Sequence, residues 1–90
     1  MSLDFKAAHT RLAQNVRGFC EKYLPTGSQK GDWWLARVPW REDRTPSLGV
    51  HLHSGRWKDF GREGDRGDLI DLLSRIERRP AADIVRGMSP

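Results

Sequence analysis

Cysteine is nearly missing from this chain. Cys20 stands alone, which excludes an internal disulfide and a zinc site built from cysteines. Long apolar runs are missing too: no stretch of about 18 apolar residues occurs, so the sequence offers no membrane-spanning helix. Asp4, Lys6, His9 and Arg11 interrupt the N-terminal region, which therefore does not read as a signal peptide. The expected location is cytoplasmic, with no membrane partner. Repeats and low-complexity segments are absent. Ninety residues leave room for one thin core and a few elements. They leave none for a catalytic fold plus a recognition module, and residues 1–90 read as a single domain. No residue is placed as a nucleophile or base, so the chain is expected not to be an enzyme.

Positive charge and tryptophan are what the chain does have. Lys and Arg number 16 against 12 Asp and Glu, a net charge of +4. That excess favours a polyanionic partner without deciding the matter. Trp33, Trp34 and Trp40 cluster among the four tryptophans. Large aromatics serve as core or as platforms on which bases stack.

Apolar periodicity predicts the elements. Phe5, Ala8, Leu12, Val16, Phe19 and Tyr23 recur at helical spacing and predict one helix over 3–23, capped by Ser2 or Asp4 and ended by Pro25 and Gly27. Residues 25–31 read as a turn. Residues 32–60 read as a small antiparallel sheet with strands over 33–38, about 48–52 and 57–60. The alternation of Leu48, Val50 and Leu52 with Gly49, His51 and His53 carries the second strand. His53–Arg56 reads as the hairpin turn. Asp68 is a plausible N-cap for a helix over 68–78, and a short helix over 80–86 would be stopped by Gly87. The expected fold class is α+β: a three-stranded antiparallel sheet flanked by an N-terminal helix and one or two C-terminal helices within 68–86.

Three stretches are distinctive: Val38–Leu48 with its Thr45-Pro46-Ser47, Gly55–Arg62 with Trp57-Lys58-Asp59-Phe60-Gly61, and the Gly67-Asp68 start of the helix containing Ile70. Together, over roughly residues 30–86, they resemble the N-terminal zinc ribbon of bacterial and phage DNA primases. That family reads Cys-Pro-x-His, Thr-Pro-Ser-Phe, a strand, an aromatic-x-Cys-x-x-Cys hairpin and a Gly-Asp helix start. The resemblance places the family's zinc ligands at Val38, Arg41, Asp59 and Arg62, and one extra residue lies between Arg62 and Gly67. Val and Arg are not zinc ligands in proteins, and Asp59 alone could not hold the ion. The implied fold is a zinc-ribbon-like domain that is metal-free and needs no cofactor. In place of the staple, burial of Trp34, Val38, Trp40, Trp57 and Phe60 and an ion cluster of Asp59 with Arg41 and Arg62 would hold the ribbon together. In the family's register Trp34, Ala36 and Val38 face one way, while Trp33, Leu35 and Arg37 face the other.

The resemblance implies a nucleic-acid-binding module, engaging single-stranded DNA in a primase or in the replication system of a phage or mobile element. Candidate contacts are Trp33, Arg37, Arg44, His51, His53, Arg56, Lys58 and Arg66. Implied partners are a primase catalytic domain, a polymerase or a helicase. The alternative is a protein-interaction module that docks a replication partner through its aromatic face. His51 and His53 share a strand face but lack an evident third ligand, and they read as polar residues of a solvated surface. Asp65, Asp68 and Asp71 could suggest a magnesium site, but they read as a loop carboxylate, an N-cap and an exposed helix residue.

Overall fold

The computed structural model describes residues 3–42 and 44–88. Among the described residues nine elements follow in order: α1 Phe5–Ala13, α2 Val16–Tyr23, β1 Ser28–Lys30, β2 Trp33–Ala36, β3 Leu48–His51, β4 Trp57–Asp59, β5 Arg66–Gly67, α3 Leu69–Glu77 and α4 Ala81–Met88. The class is α+β. The five strands form one antiparallel meander in the order β1-β2-β3-β4-β5, so three strands were too few. β1 is exposed along its whole length, and β5 is two residues long. Neither carries the two-residue burial rhythm that betrays a strand.

The expected helix over 3–23 is two helices. Asn15 turns its side chain onto the Gly18 N–H at 3.0 Å and caps α2. Asn competes for backbone groups in this way and favours caps over helix interiors. Asp4 caps α1 through the Ala7 N–H at 2.9 Å; Ser2, the other candidate, lies outside the described residues. β2 ends at Ala36 rather than Val38, although Val38 is still buried. β4 ends at Asp59. Leu52 leaves β3 for the hairpin loop, where it half-buries against the core. Gly55 sits at φ 75 beside the closing bond from His51 N–H to Arg56 O at 2.8 Å; the left-handed region suits glycine.

Asp68 begins α3 with a complete capping box, its side chain accepting from the Asp71 N–H while the Asp71 carboxylate accepts from the Asp68 N–H. The helix stops where Arg78 turns left-handed, φ 55, just before Pro80. Gly87 does not stop α4, which runs on to Met88; one glycine in the last turn is a tolerable propensity loss.

Trp34, Ala36, Leu48, Val50 and Trp57 line the inner sheet face. With Ala8, Phe19, Cys20, Leu69, Ile70, Leu72, Leu73, Ile84 and Val85 from the four helices, they form one buried cluster. α3 packs on both α1 and α4. Both buried indoles satisfy their N–H groups, Trp34 on Leu24 O at 3.1 Å and Trp57 on Asp68 O at 2.8 Å, as buried polar atoms require. His9 ties the layers together. Its Nδ1 accepts from the Leu69 N–H at 3.1 Å, a helix-start donor with no partner inside α3. Its Nε2 then donates to Ser54 O at 3.1 Å.

Phe60 does not join the core: it is 59% exposed. Trp57 and Asp59 point inward while Lys58 points out, and Phe60 continues that alternation onto the outer face. No helix among the described residues is long and apolar enough to cross a membrane.

Candidate nucleic-acid interface

With the helices packed on one side, the sheet's other face is open. The register sets its composition, because residues directly opposite in an antiparallel pair share a face. Lys30 opposes Trp33, Trp33 opposes His51, Leu35 opposes Gly49, Gly49 opposes Lys58, and Lys58 opposes Arg66. One row of the outer face therefore runs Leu35, Gly49, Lys58, Arg66, and the row beside it Lys30, Trp33, His51.

Gly49 is where that face becomes an aromatic platform. A Cβ on this residue would lie 2.7 Å from Cε2 of Phe60 and 3.2 Å from Cε3 of Trp33. Glycine alone lets the two rings close over the strand. Their centroids are 6.2 Å apart at 61°; the half-buried Trp33 also meets His51 edge-on at 5.2 Å and 82°. Lys58 Nζ stands 5.4 Å from the Phe60 centroid, within cation–π range. Beside the platform, Trp33, Arg56, Trp57, Lys58, Arg66 and Gly67 line a cleft of about 530 Å³.

Of the sequence candidates, Trp33, Arg56, Lys58 and Arg66 meet at this cleft. His51 adjoins it through the Trp33 ring, while its Nδ1 accepts from the Ser54 N–H at 3.2 Å. His53 lies in the hairpin loop and pairs with Asp32 at 3.2 Å. The two His rings are 5.6 Å apart, and among the described residues no three His, Cys, Asp or Glu side chains converge to hold a metal ion. Arg37 follows β2 and Arg44 lies in the loop before β3; both are exposed, and neither lines the cleft. Phe60 was missed as a surface aromatic. Strict alternation from Trp57 could have found it.

A second cluster lies around the β4–β5 turn. Arg41 grips Asp59 with both terminal nitrogens, one of them at 3.0 Å from Oδ1. The Gly61 N–H donates to the same oxygen at 2.8 Å. The Asp59 side chain is fully buried against Arg41 at 24% exposure. The Arg41 hydrogen bonds hold the Asp59 carboxyl below the usual carboxylate range against the opposing cost of burial; the Gly61 N–H and the Arg62 charge help. Val38 is buried nearby in the core. Arg75 pairs with Asp65 at 2.6 and 2.5 Å, and its guanidinium lies 5.3 Å from the Trp40 ring and 5.4 Å from Trp57. The half-buried Trp40 meets Trp57 edge-on at 5.6 Å. Asp65 is engaged by Arg75, and Asp68 and Asp71 are engaged in the capping box of α3.

Set against known proteins, the chain matches no family model, no curated protein and no solved structure.

Proposed function

We propose that this chain is a non-catalytic nucleic-acid-binding module that takes single-stranded DNA on the outer face of its sheet. The observation that carries the reading is the platform of Trp33 and Phe60 over Gly49, with Arg56, Lys58 and Arg66 around the adjoining cleft. Single-strand binders combine stacking rings with cations that follow the backbone. The cations here neutralise phosphates and the rings stack on bases, so binding is tolerant of sequence. His51 buttresses Trp33, and Arg37, Arg44 and His53 contribute only at the margins.

The wider setting is a primase, or the replication system of a phage or mobile element. The primase-like pattern of residues 30–86 supports it. The bidentate Arg41–Asp59 pair, with the Arg62 charge beside it, fits the idea of an ion cluster standing at three of the four positions that hold zinc in that family. On this reading the domain is a metal-free ribbon, widened by β1 and β5, that works beside a catalytic domain, a polymerase or a helicase.

A tryptophan-fluorescence titration with single-stranded DNA at two salt concentrations tests the proposal. Binding should weaken steeply with salt. Lys58→Ala and Arg66→Ala should each lower the salt slope by about 0.7. Trp33→Ala should cost about 1–3 kcal/mol with little change in slope. No detectable binding by the folded wild type would remove the nucleic-acid reading. The exposed Phe60 favours the second reading, a protein-docking face, whose affinity would depend little on salt.

A further inference from the structure

Beyond the sheet face lies a smaller pocket of about 210 Å³ lined by Trp40, Arg41, Arg62, Asp65 and Arg75. We propose that it binds a phosphate monoester, the terminal phosphate of a strand lying on the sheet. The proposal rests on the nucleic-acid reading for its ligand's source but on separate residues for its chemistry.

Among the described residues, the guanidinium groups of Arg41, Arg62 and Arg75 stand here with the carboxylates of Asp59 and Asp65, and both carboxylates are already hydrogen-bonded. Asp59 is held by Arg41 and the Gly61 N–H, and both oxygens of Asp65 are held by Arg75. The Arg62 side chain has no hydrogen bond or ion pair among the described residues and is exposed. An incoming anion therefore meets one guanidinium whose N–H donors are unused among the described residues, though its charge also acts on Asp59. It also meets a second, Arg75, fixed against two indoles and still holding unused N–H donors. Groups held in place before binding lose little freedom on binding.

Size and charge narrow the ligand. The volume lies below the roughly 300–1,000 Å³ of pockets that enclose whole small molecules, so the pocket suits a group at the end of a chain. A phosphate monoester carries about −1.5 to −2 at neutral pH, more than the single charge of an internal phosphodiester, and so gains more from a cationic site. A third cleft joins the two regions. It shares Lys58 and Arg66 with the Trp33 cleft and Asp65 with the arginine pocket. These shared residues place the arginine pocket beside the sheet-face cleft, with the carboxylates of Glu63 and Asp65 lining the third cleft between them.

The test is calorimetric binding, at matched ionic strength, of thymidine oligonucleotides of about eight nucleotides carrying a 5′-phosphate, a 3′-phosphate or hydroxyls at both ends. The wild type is compared with Arg62→Gln and with Arg66→Gln. One phosphate-ended strand should bind about threefold to tenfold more tightly than the hydroxyl-ended one. Arg62→Gln should erase that advantage while leaving hydroxyl-ended binding nearly intact. Arg66→Gln should weaken all three alike. Equal affinity for every end, or an advantage that survives Arg62→Gln, overturns the pocket and leaves the sheet-face reading standing. If no oligonucleotide binds, the nucleic-acid reading falls and inorganic phosphate decides the pocket. Saturable shifts of the Arg62 and Arg75 side-chain N–H resonances in the wild type, with those of Arg75 lost in Arg62→Gln, would support it; their absence would overturn it.

Discussion

Replacing Arg41 by Ala should destabilise the domain more than any other change of a surface-reaching side chain. The Asp59 side chain is fully buried, whereas Arg41 keeps 24% exposure. The substitution strands a buried carboxylate with one remaining donor, the Gly61 N–H. Breaking a buried pair by removing one partner costs about 3–5 kcal/mol. Water reaches this site through the space Arg41 vacates and the Arg62 charge is near, so the lower end, about 3 kcal/mol, is expected. In a domain of this size each kcal/mol moves the melting temperature by roughly 4–8 °C, which puts the fall at about 12–24 °C. The pH dependence gives a second handle. The Asp59 pKa is lowered in the folded state, first by its bonds to Arg41. The stability it contributes is therefore complete above the unfolded carboxylate value of about 3.9 and disappears as pH falls through the lower folded value. The gap between wild type and Arg41→Ala should be widest near neutrality and close in acid, where a protonated Asp59 no longer needs the cation. Urea denaturation between neutral pH and about pH 3 measures this. A cost below about 1 kcal/mol at neutrality, or one that does not shrink in acid, would falsify the assignment of Arg41 as the partner that makes burial of Asp59 tolerable.

Three further outcomes follow from named contacts. Cys20 is buried, and burial with the neighbouring Glu21 charge pushes its thiol up to about 12. It should resist thiol reagents until the protein unfolds, and the stability tied to it should be full below its ordinary 9.0 and be lost as pH rises toward about 12; alkaline denaturation of Cys20→Ala should lack that component. His9→Ala removes the acceptor for the Leu69 N–H and the donor to Ser54 O, and should cost about 1–2 kcal/mol; hydrogen exchange at Leu69 should quicken. Gly49→Ala should drive the Phe60 ring off the platform, since the new Cβ would sit 2.7 Å from it. Because Phe60 is exposed, folding should survive, while single-stranded DNA affinity falls by about 1 kcal/mol, the low end for one stacked base; unchanged affinity would show that the paired rings are not the binding surface.

Several features were legible in the residues themselves. The dense apolar face of Leu69, Ile70, Leu72 and Leu73 behind the Asp68 cap is helix α3, and every one of those four is buried. Leu48 and Val50 alternate with neighbours across a strand and are fully buried. These signals are strong because period and capping chemistry are local properties. The pairing of Arg41 with Asp59, 18 residues apart, was expected only through the resemblance to the primase ribbon.

What the sequence could not supply was every feature whose cause lies far along the chain. β1 and β5 are strands only because β2 and β4 offer them backbone partners; exposed or two residues long, they carry no burial pattern of their own. One local feature escaped as well: the long first helix became two because the Asn15 side chain accepts from the Gly18 N–H, a capping bond that apolar spacing does not register. His9 became a clasp between α1, the β3–β4 loop and α3 only once the fold brought Ser54 and Leu69 to its two nitrogens. The candidate site divides the same way. Trp33, Arg56, Lys58 and Arg66 could be named from residue type, but their convergence, the outward turn of Phe60 and the role of Gly49 beneath both rings depend on strand register. Residue chemistry is written in the chain; which residues share a face is decided by pairings between distant segments, and only the folded sheet fixes those.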